Sequence, residues 1–388
     1  MKNDSYFQGN LNAIYYFIQA GGFTLQDPSL KWGKIGLAVF LNQLTFNSSD
    51  SAAQAITLRL FEAGVAGVED LAEESGLGEI LSDLAGIIHF LRQNSRLAFD
   101  AEDLLAELDP FLLTYLTTCA TLGNLDLVAG ALAPAHYLLA RATECPSLTK
   151  PLDDFILQLD TLATRAITGQ ACWYSTIFPE PRIYLGLSHG SASILVFLAK
   201  ALEAGRQPAV CRRLLAEGVA YVLAQYRPDS SIAFPVIVGH EPQFATLGWA
   251  YGDLGVCYGL LVASQALGHV PGCQLAVSRA LSLGNRIGEP GAWPDAGLAY
   301  GCTGSAVLFH ALAQLSGTPA FLSFAEQCLA RSSDFISAHN PACGFRAAYP
   351  TRGNGADWGI ISGIAGIGVA FHAYLSQDYS LAQRLLYL

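Results

Sequence analysis

Residues 301–304, Gly-Cys-Thr-Gly, lead directly into the apolar run SAVLFHALAQL, and this arrangement decides the fold because it recurs along the chain. The signature is a pair of small residues three positions apart, followed by an apolar helix of two to three turns. Its seven copies begin at residues 33, 83, 130, 190, 252, 301 and 363. Neighbouring copies lie 47 to 62 residues apart, which leaves room for two helices and two connections in each repeat.

Longer amphipathic stretches lie between the copies. In residues 153–166 the apolar side chains fall on one helical face, and residues 209–225 and 322–337 follow the same pattern. Each repeat therefore supplies one polar-faced helix and one nearly uncharged helix. This alternation predicts an all-α fold, a seven-fold (α/α) toroid with inner and outer rings of helices, in a single domain over residues 1–388.

The repeated glycines need a physical reason, because glycine inside a helix costs about 1 kcal/mol relative to alanine. The sequence leaves two reasons open. The glycines either allow close backbone packing where the uncharged helices begin, or they form a loop-to-helix turn with positive φ.

The composition excludes several classes of protein. Of the 388 residues, 52% are hydrophobic and 14% are charged, so the chain is not disordered. A net charge of −11 argues against nucleic acid and anionic membrane surfaces as partners. The nine cysteines form no Cys-x-x-Cys pair, and their odd number does not suggest a disulfide framework. The N-terminal residues show no secretory signal, so we expect a cytoplasmic protein.

Three stretches without charged residues are long enough to suggest membrane-spanning helices: residues 254–278, 296–325 and 358–377. Pro271-Gly272 breaks the first stretch, and Thr318-Pro319 breaks the second. The corresponding helix of the fourth copy carries Lys200, so the repeated element is not lipid-facing throughout. We therefore predict no membrane insertion.

The residue just before each copy is informative, because a toroid gathers these loop–helix junctions around one cavity. The seven residues are Trp32, Ser82, Ala129, His189, Tyr251, Tyr300 and Ser362. They lie in or beside the motifs LGLSHG at 185–190, GWAYGD at 248–253, GLAYG at 297–301 and SGIAGIG at 362–368. In order and spacing these motifs resemble the lanthionine synthetase C-like family. The resemblance implies the toroid fold and the addition of a peptide cysteine thiol to a dehydroalanine or dehydrobutyrine, so the implied partner is a dehydrated precursor peptide.

The resemblance also implies a zinc site made by two cysteines and a histidine, and this sequence is substituted at all three positions. They are Ala250, Ala299 and Tyr300 here, and Thr246 stands where the family usually has an arginine. Alanine offers no lone pair, whereas a catalytic zinc needs three protein ligands and an open position. We therefore predict no metal site and no other cofactor.

Two residues that the family uses in catalysis persist, His189 in the His-Gly motif and Asp126 in residues 126–130. The hypothesis for catalysis without zinc is that His189 takes the thiol proton and Asp126 assists proton delivery to the enolate carbon. Tyr300 would donate a hydrogen bond to the enolate oxygen. The residues predicted to line the peptide groove are Trp249, Tyr251 and Asp253.

Catalysis without zinc is energetically allowed. A thiol with a pKa near 8.5 is only a few per cent ionised at pH 7, so a metal that ionises it fully contributes about 2 kcal/mol. A well-placed general base contributes a comparable amount, about 10²- to 10⁴-fold in rate. A structural interpretation also stays open, in which Asp126 caps a helix start, His189 bonds a neighbouring carbonyl, and Tyr251 and Tyr300 fill the space of the lost metal.

Three functions are open on the sequence. The first is a metal-independent peptide cyclase that closes thioether rings. The second is a non-catalytic relative that binds the precursor peptide and assists a partner dehydratase or a second cyclase. The third is an α/α-toroid glycoside hydrolase or epimerase, in which Asp253, Asp295 or Asp357 would pair as acid and base.

Overall fold

The copies of the repeat form one helix each in a computed structural model of the chain, which describes residues 2–71, 76–97, 99–240, 247–340, 342–349 and 355–388. We call these the core helices. They are α2 (Lys34–Thr45), α4 (Leu77–Gln93), α6 (Leu132–Arg141), α8 (Ser191–Glu203), α10 (Asp253–Leu267), α12 (Cys302–Ser316) and α15 (Ile364–Ser376).

The other helices flank the core helices in chain order. They are α1 (Lys2–Gly21), α3 (Ser51–Glu69), α5 (Glu102–Thr121), α7 (Thr149–Leu162), α9 (Pro208–Ala224), α11 (Val270–Gly284), α13 (Ala320–Ala330), α14 (Gly355–Trp358) and α16 (Ser380–Leu385). Among the described residues, β-structure is limited to isolated bridges. The amphipathic stretches that the sequence indicates at 153–166, 209–225 and 322–337 correspond to α7, α9 and α13, with ends that differ by a few residues.

Burial follows the predicted alternation of uncharged and amphipathic helices. Every residue from Ser191 to Ala199 in α8 and from Ile364 to Phe371 in α15 is buried. The flanking helix α7, in contrast, buries one face, formed by Leu152, Phe155, Ile156 and Leu159. The first two uncharged stretches each span a core helix and the start of the flanking helix that follows it, and the third spans α15. Among the described residues no helix combines the length and apolarity that crossing a membrane requires.

The chain divides into two compact units, each of which is assembled from separate segments. Unit 1 comprises Met1–Ala101, Trp293–Ala313 and Pro319–Leu388, and unit 2 comprises Glu102–Ala292 and Gln314–Thr318. Within unit 1, α15 packs against both α1 and α2, so the last copy of the repeat lies against the first. Within unit 2, α8 packs against α6, α9 and α10.

Close packing explains the repeated glycines, because in several copies the preceding loop folds back onto the start of its own core helix, whereas Gly86, inside α4, packs against the side chain of Arg384. A Cβ atom on Gly36, Gly304 or Gly366 would lie closer than 3 Å to the carbonyl oxygen of the residue six positions earlier. A loop of this kind also accepts a hydrogen bond from the start of its helix, since the Ser191 N–H of α8 donates to the Tyr184 carbonyl at 3.0 Å. The packing reason is therefore confirmed at these helix starts.

The second reason considered for the glycines, a positive φ, is wrong. Gly33 and Gly190, which precede α2 and α8, have φ values of −137° and −136°, in the extended region that any residue adopts. The glycines with positive φ in the described chain lie elsewhere, for example Gly268 at the end of α10. Glycine is required at the repeat for its missing side chain and not for its backbone freedom.

Candidate functional site

The segment between α7 and α8 carries His189 at its end, just before α8, and two sets of backbone hydrogen bonds hold this segment in place. After α7 the chain forms a hairpin in which Ser175 and Arg182 exchange backbone hydrogen bonds at 2.8 and 3.2 Å. Tyr184 then forms an isolated bridge with Ile237, which anchors the residues just before the His-Gly motif. This support fixes the backbone that carries His189, while the side chain keeps a small opening, with 9% of its surface exposed.

Asp126 lies in the loop before α6 and has its two carboxylate oxygens committed to different partners. Oδ1 accepts the backbone N–H groups of Val128 at 2.7 Å and Ala129 at 2.8 Å. Oδ2 lies 2.6 Å from Nδ1 of His189. The side chain of Asp126 is fully buried, so these contacts replace water as its source of hydrogen bonds. The helix cap expected for Asp126 is wrong, because α6 begins after Ala131 without a side-chain cap and Asp126 instead holds the loop before it, together with a direct contact to His189.

The partners of His189 define which of its nitrogens carries a proton. An ionised carboxylate only accepts hydrogen bonds, so we assign the proton of the neutral imidazole to Nδ1, facing Asp126. Nε2 is then an acceptor, and it lies 3.1 Å from the hydroxyl oxygen of Tyr251, which donates to it. Asp126, His189 and Tyr251 therefore form one hydrogen-bonded chain within unit 2. His189 bonds a carboxylate and a hydroxyl, and not the neighbouring carbonyl that the structural interpretation considered.

An aromatic shell surrounds His189. The rings of Tyr184 and Phe178 lie 6.0 and 6.4 Å from the imidazole in edge-on orientations, and the Tyr251 ring lies 5.6 Å away. Phe178, near the tip of the hairpin, is 45% exposed despite these contacts. The site thus presents an apolar aromatic surface to solvent directly beside the imidazole.

Ala250 and its neighbours pack against the loop of His189. The hydroxyl of Ser188 donates to the carbonyl of Ala250 at 2.9 Å, and a Cβ on Gly186 would lie 2.6 Å from the same oxygen. Trp249 is 4% exposed, so it offers a bound peptide little surface, whereas Tyr251 is half-buried. Of the residues predicted to line the groove, Tyr251 is the one that the structure brings to His189.

The carboxylate of Asp253 is hydrogen-bonded through both of its oxygens to other parts of the chain. Its carboxylate accepts the N–H groups of Ala233 at 2.8 Å and Phe234 at 3.0 Å, and it pairs with Arg279 through Nε at 3.1 Å and Nη2 at 2.5 Å. These bonds tie the loop at 231–234 to the start of α10. The predicted contact between Asp253 and a peptide would have to compete with them.

The other two aspartates considered for acid–base pairing have similar partners. Asp295 accepts the N–H groups of Gly297 and Ala348, both at 2.9 Å, and Asp357 accepts that of Ala347 at 2.7 Å. Carboxylates that hold loops in this way give no support to a glycosidase-like pair.

Tyr300 lies in unit 1, at the start of α12. It is half-buried, and its ring packs edge-on against Tyr349 with 4.8 Å between the centroids. Tyr349 is itself 41% exposed. Ala299, just before Tyr300, donates its backbone N–H to the carbonyl of Ile361 at 2.8 Å.

The residues present do not fit a zinc ion. Ala250 and Ala299 carry no ligand atom, and the described residues contain no group of three or more His, Cys, Asp or Glu side chains that could hold a metal. Cys257 and Cys302 are the thiols nearest in sequence to the substituted positions, and burial raises the pKa of both. A protonated buried thiol is a poor ligand. Thr246 lies outside the described residues.

Phe178 and Arg279 are parts of this region that the sequence alone did not identify. Phe178 stands in a polar, proline-containing loop, and its neighbours Tyr174 and Ile177 are also apolar, which is a signal of a surface with a binding role. Arg279 lies 26 residues from Asp253, on a different helix, and no local motif links the two.

Comparisons with known proteins bear on the family and the fold of the chain. The family model described as "Lanthionine synthetase C-like protein" matches residues 24–387. Among solved structures, one titled "Nisin cyclase" superposes with a TM-score of 0.74 at 17% sequence identity, covering 97% of this chain and 96% of that chain. No curated protein matches the chain significantly. The structural likeness shows a shared fold and confirms the predicted fold class, an all-α fold of the α/α-toroid type.

Proposed function

Because the chain belongs to the lanthionine synthetase C-like protein family, we propose that it is a zinc-free cyclase of lanthipeptide maturation, which binds a dehydrated, cysteine-containing precursor peptide and closes thioether rings. The observation that carries the proposal is the hydrogen-bonded chain of Asp126, His189 and Tyr251, in which Nε2 of His189 is the acceptor that faces the half-buried hydroxyl of Tyr251. The contact with Asp126 fixes the imidazole so that Nε2 is the nitrogen that can accept a proton, which is what a general base requires.

The reaction needs one proton to be removed and one to be returned. Nε2 of His189 takes the proton of the peptide thiol, directly or through the hydroxyl of Tyr251, and the sulfur then forms a bond to the β-carbon of the dehydrated residue. The double-bond electrons move to the α-carbon and its carbonyl as an enolate. His189 then returns the proton to the α-carbon, so the enzyme ends in its starting state and the product is an isomer of the substrate.

Asp126 makes His189 a better base in two ways. Its carboxylate holds the proton on Nδ1, so Nε2 is available as the acceptor, and its negative charge stabilises the imidazolium that forms after proton transfer. Because the carboxylate is fully buried and its other oxygen is held by two backbone N–H groups, it is pre-organised for this role.

Two of the other predicted residues keep the roles that the sequence suggested, as parts of the proposal. Tyr300 donates a hydrogen bond to the enolate oxygen, and Tyr251 contacts the peptide. Trp249 and Asp253, also predicted to line the groove, are buried, and Asp253 is held by Arg279, so they support the loops around Tyr251 and do not touch the peptide. The exposed ring of Phe178 joins Tyr251 in this contact, because it lies beside the imidazole and carries accessible apolar surface. No step passes through a metal, since the residues at the family's ligand positions cannot hold one.

A second function is favoured by the same substitutions. A chain with alanine at two ligand positions has lost the family's means of ionising the thiol, which suits a non-catalytic protein that binds the precursor peptide and presents it to a partner dehydratase or second cyclase. Both functions place the protein with peptide-maturation enzymes in the cytoplasm.

Binding and turnover measured on the same peptide separate the two functions. We would titrate a fluorescently labelled, dehydrated precursor with the purified chain and follow loss of its free thiol in parallel. The cyclase predicts saturable binding together with thiol loss above the rate without protein. The pseudo-cyclase predicts equal binding with no added thiol loss, and absence of binding would contradict both.

A further inference from the structure

A cavity lies towards the carboxyl-terminal ends of α8 and α10 in unit 2. It has a volume of about 440 Å³, and its wall includes Lys200, Arg212 and Tyr258. Helix α8 is 13 residues long and begins beside His189, so its two ends lie about 20 Å apart. The proposed cyclisation uses no side chain of this cavity.

Tyr258 is the most informative residue of the wall. It is 5% exposed, and its hydroxyl makes no hydrogen bond to any residue that the structure describes. The hydroxyl oxygen retains some accessible surface, and Tyr258 lines the cavity. Burial raises the pKa of Tyr258, which keeps the hydroxyl protonated as a donor. Buried tyrosine hydroxyls ordinarily have a partner, so this hydroxyl is available to donate to an acceptor that enters the cavity.

The charges at the rim favour an anion. Two arginines close to Arg212 in sequence have carboxylate partners, since Arg206 pairs with Asp153 at 3.8 Å and Arg213 with Asp160 at 2.5 Å. Arg212 lines the cavity at an exposed position and pairs with no carboxylate among the described residues, whereas Lys200, which also lines the cavity, already has a contact of its own. Glu203 is the one acid of the lining. A negatively charged group is thus attracted to the side of the cavity that carries Arg212.

The rest of the wall is apolar. It is formed by Ala199, Leu202, Val262, Ala266 and Leu315. The amide nitrogen of Gln265 is already engaged, because it donates to the carbonyl of Leu315 at 2.8 Å. A cavity of this size accommodates a small organic molecule, and an apolar body with one charged end matches this wall.

We propose that this cavity binds an organic carboxylate with an apolar body, whose oxygens accept hydrogen bonds from Tyr258 and Arg212. The site is independent of the proposed cyclase function, because it lies at the other end of α8 and shares no residue with the chain of Asp126, His189 and Tyr251. The carboxylate could belong to a free small molecule or to the C-terminus of a peptide, and these sources share one recognition chemistry.

The experiment compares acids with their neutral amides. The intact protein is titrated calorimetrically with 4-phenylbutyrate and with 4-phenylbutanamide, which has the same apolar body without the charge. A parallel pair, a hexapeptide ending in phenylalanine with a free or an amidated C-terminus, distinguishes the two sources. We expect saturable binding of at least one acid, and binding of its amide weaker by about tenfold or more, as expected for loss of charge-assisted hydrogen bonds.

Three variants locate the binding. Tyr258→Phe and Arg212→Ala should each weaken binding of the acid about tenfold, whereas Arg213→Ala, which removes the adjacent but ion-paired arginine, should leave it unchanged. Thermal unfolding of each variant confirms that the fold is retained. Equal affinity for acid and amide, equal affinity of wild type and Tyr258→Phe, or no binding of either acid would overturn the proposal.

Discussion

His189 and Asp126 are joined by a 2.6 Å contact between Nδ1 and Oδ2, and the same carboxylate caps its own loop through Val128 and Ala129. One buried group therefore fixes both the backbone of the loop and the orientation of the imidazole. The two functions of Asp126 can be separated experimentally, because asparagine retains an oxygen for the backbone while it changes the group that faces His189.

Asp126→Asn should slow ring closure with little loss of fold. The amide can keep its oxygen on the N–H groups of Val128 and Ala129, but its NH₂ would face Nδ1 and disfavour the tautomer with Nε2 free. We expect thiol loss to slow by about 10²- to 10⁴-fold, the typical range for general-base assistance. Peptide binding, measured by fluorescence anisotropy, should stay within a few-fold of wild type.

The matched control for this variant is Asp50→Asn. Asp50 also accepts two backbone N–H groups, those of Ala52 and Ala53 at 3.0 Å, but it is exposed and caps the start of α3. Asparagine caps helices about as well as aspartate, so neither stability nor rate should change beyond a few tenths of a kcal/mol. An equal loss of rate in both variants would contradict the role of Asp126.

Phe178→Ala should weaken the interaction with the peptide and leave the chemical step intact. The ring is 45% exposed beside His189, so a bound peptide can bury its apolar surface, at about 25 cal/mol per Å². We expect KM to rise several-fold while kcat changes little. Tyr174→Ala is the control, because Tyr174 is exposed to a similar degree on the same hairpin, at 46%. Matching effects of the two variants would show that Phe178 has no specific contact.

Gly366→Ala should destabilise the protein strongly. The added methyl group would meet the carbonyl oxygen of Ile360, a backbone atom that cannot rotate away, and core overpacking of this kind costs about 1–3 kcal/mol or more. Gly9→Ala provides the contrast, since Gly9 lies within α1 with nothing near its Cβ position, and alanine should stabilise that helix by up to about 1 kcal/mol. The midpoints of thermal unfolding should move in opposite directions.

These glycines show how far the sequence predicts this fold. Their spacing was sufficient to count the repeats and to place α8, α10 and α15, because burial of an uncharged helix is a local property of its residues. The sequence left two reasons for the glycines open, close packing and a positive φ. Only the structure decides between them, because it shows that the preceding loop packs against the start of the helix. The pairing of Asp253 with Arg279 and the contact of Tyr251 with His189 likewise depend on residues 26 and 62 positions apart, which no local pattern specifies.

Asp378 should contribute to stability in a pH-dependent way. Burial acts to raise the pKa of Asp378, but hydrogen bonds from Ser380 and Arg96 and the charge of Arg96 lower it to about 2. Because the folded-state pKa lies below the unfolded value of about 3.9, the contribution is present above that value and is lost as the pH falls towards 2. The side chain is 36% exposed, so solvent screening keeps the contribution near 1 kcal/mol or less.

Asp378→Asn tests this dependence. The difference in free energy of unfolding between wild type and Asp378→Asn should be constant from about pH 7 to pH 5 and should shrink between about pH 4 and pH 2. Asp229→Asn, which removes an exposed carboxylate, serves as the control. A difference that persists unchanged at pH 2 would contradict the lowered pKa of Asp378.

The central claim is that His189, without a metal, speeds thioether formation, and its most direct test is the rate of thiol loss from a dehydrated precursor peptide in the presence of a chelator. Ring closure leaves the peptide mass unchanged, so the remaining thiol is labelled by alkylation at each time point and counted by mass spectrometry. We predict that the wild-type chain accelerates thiol loss equally with and without the chelator, while His189→Gln falls to the rate of the peptide alone. Thiol loss that is no faster with the wild-type chain than without protein, or that stops when the chelator is added, would contradict it.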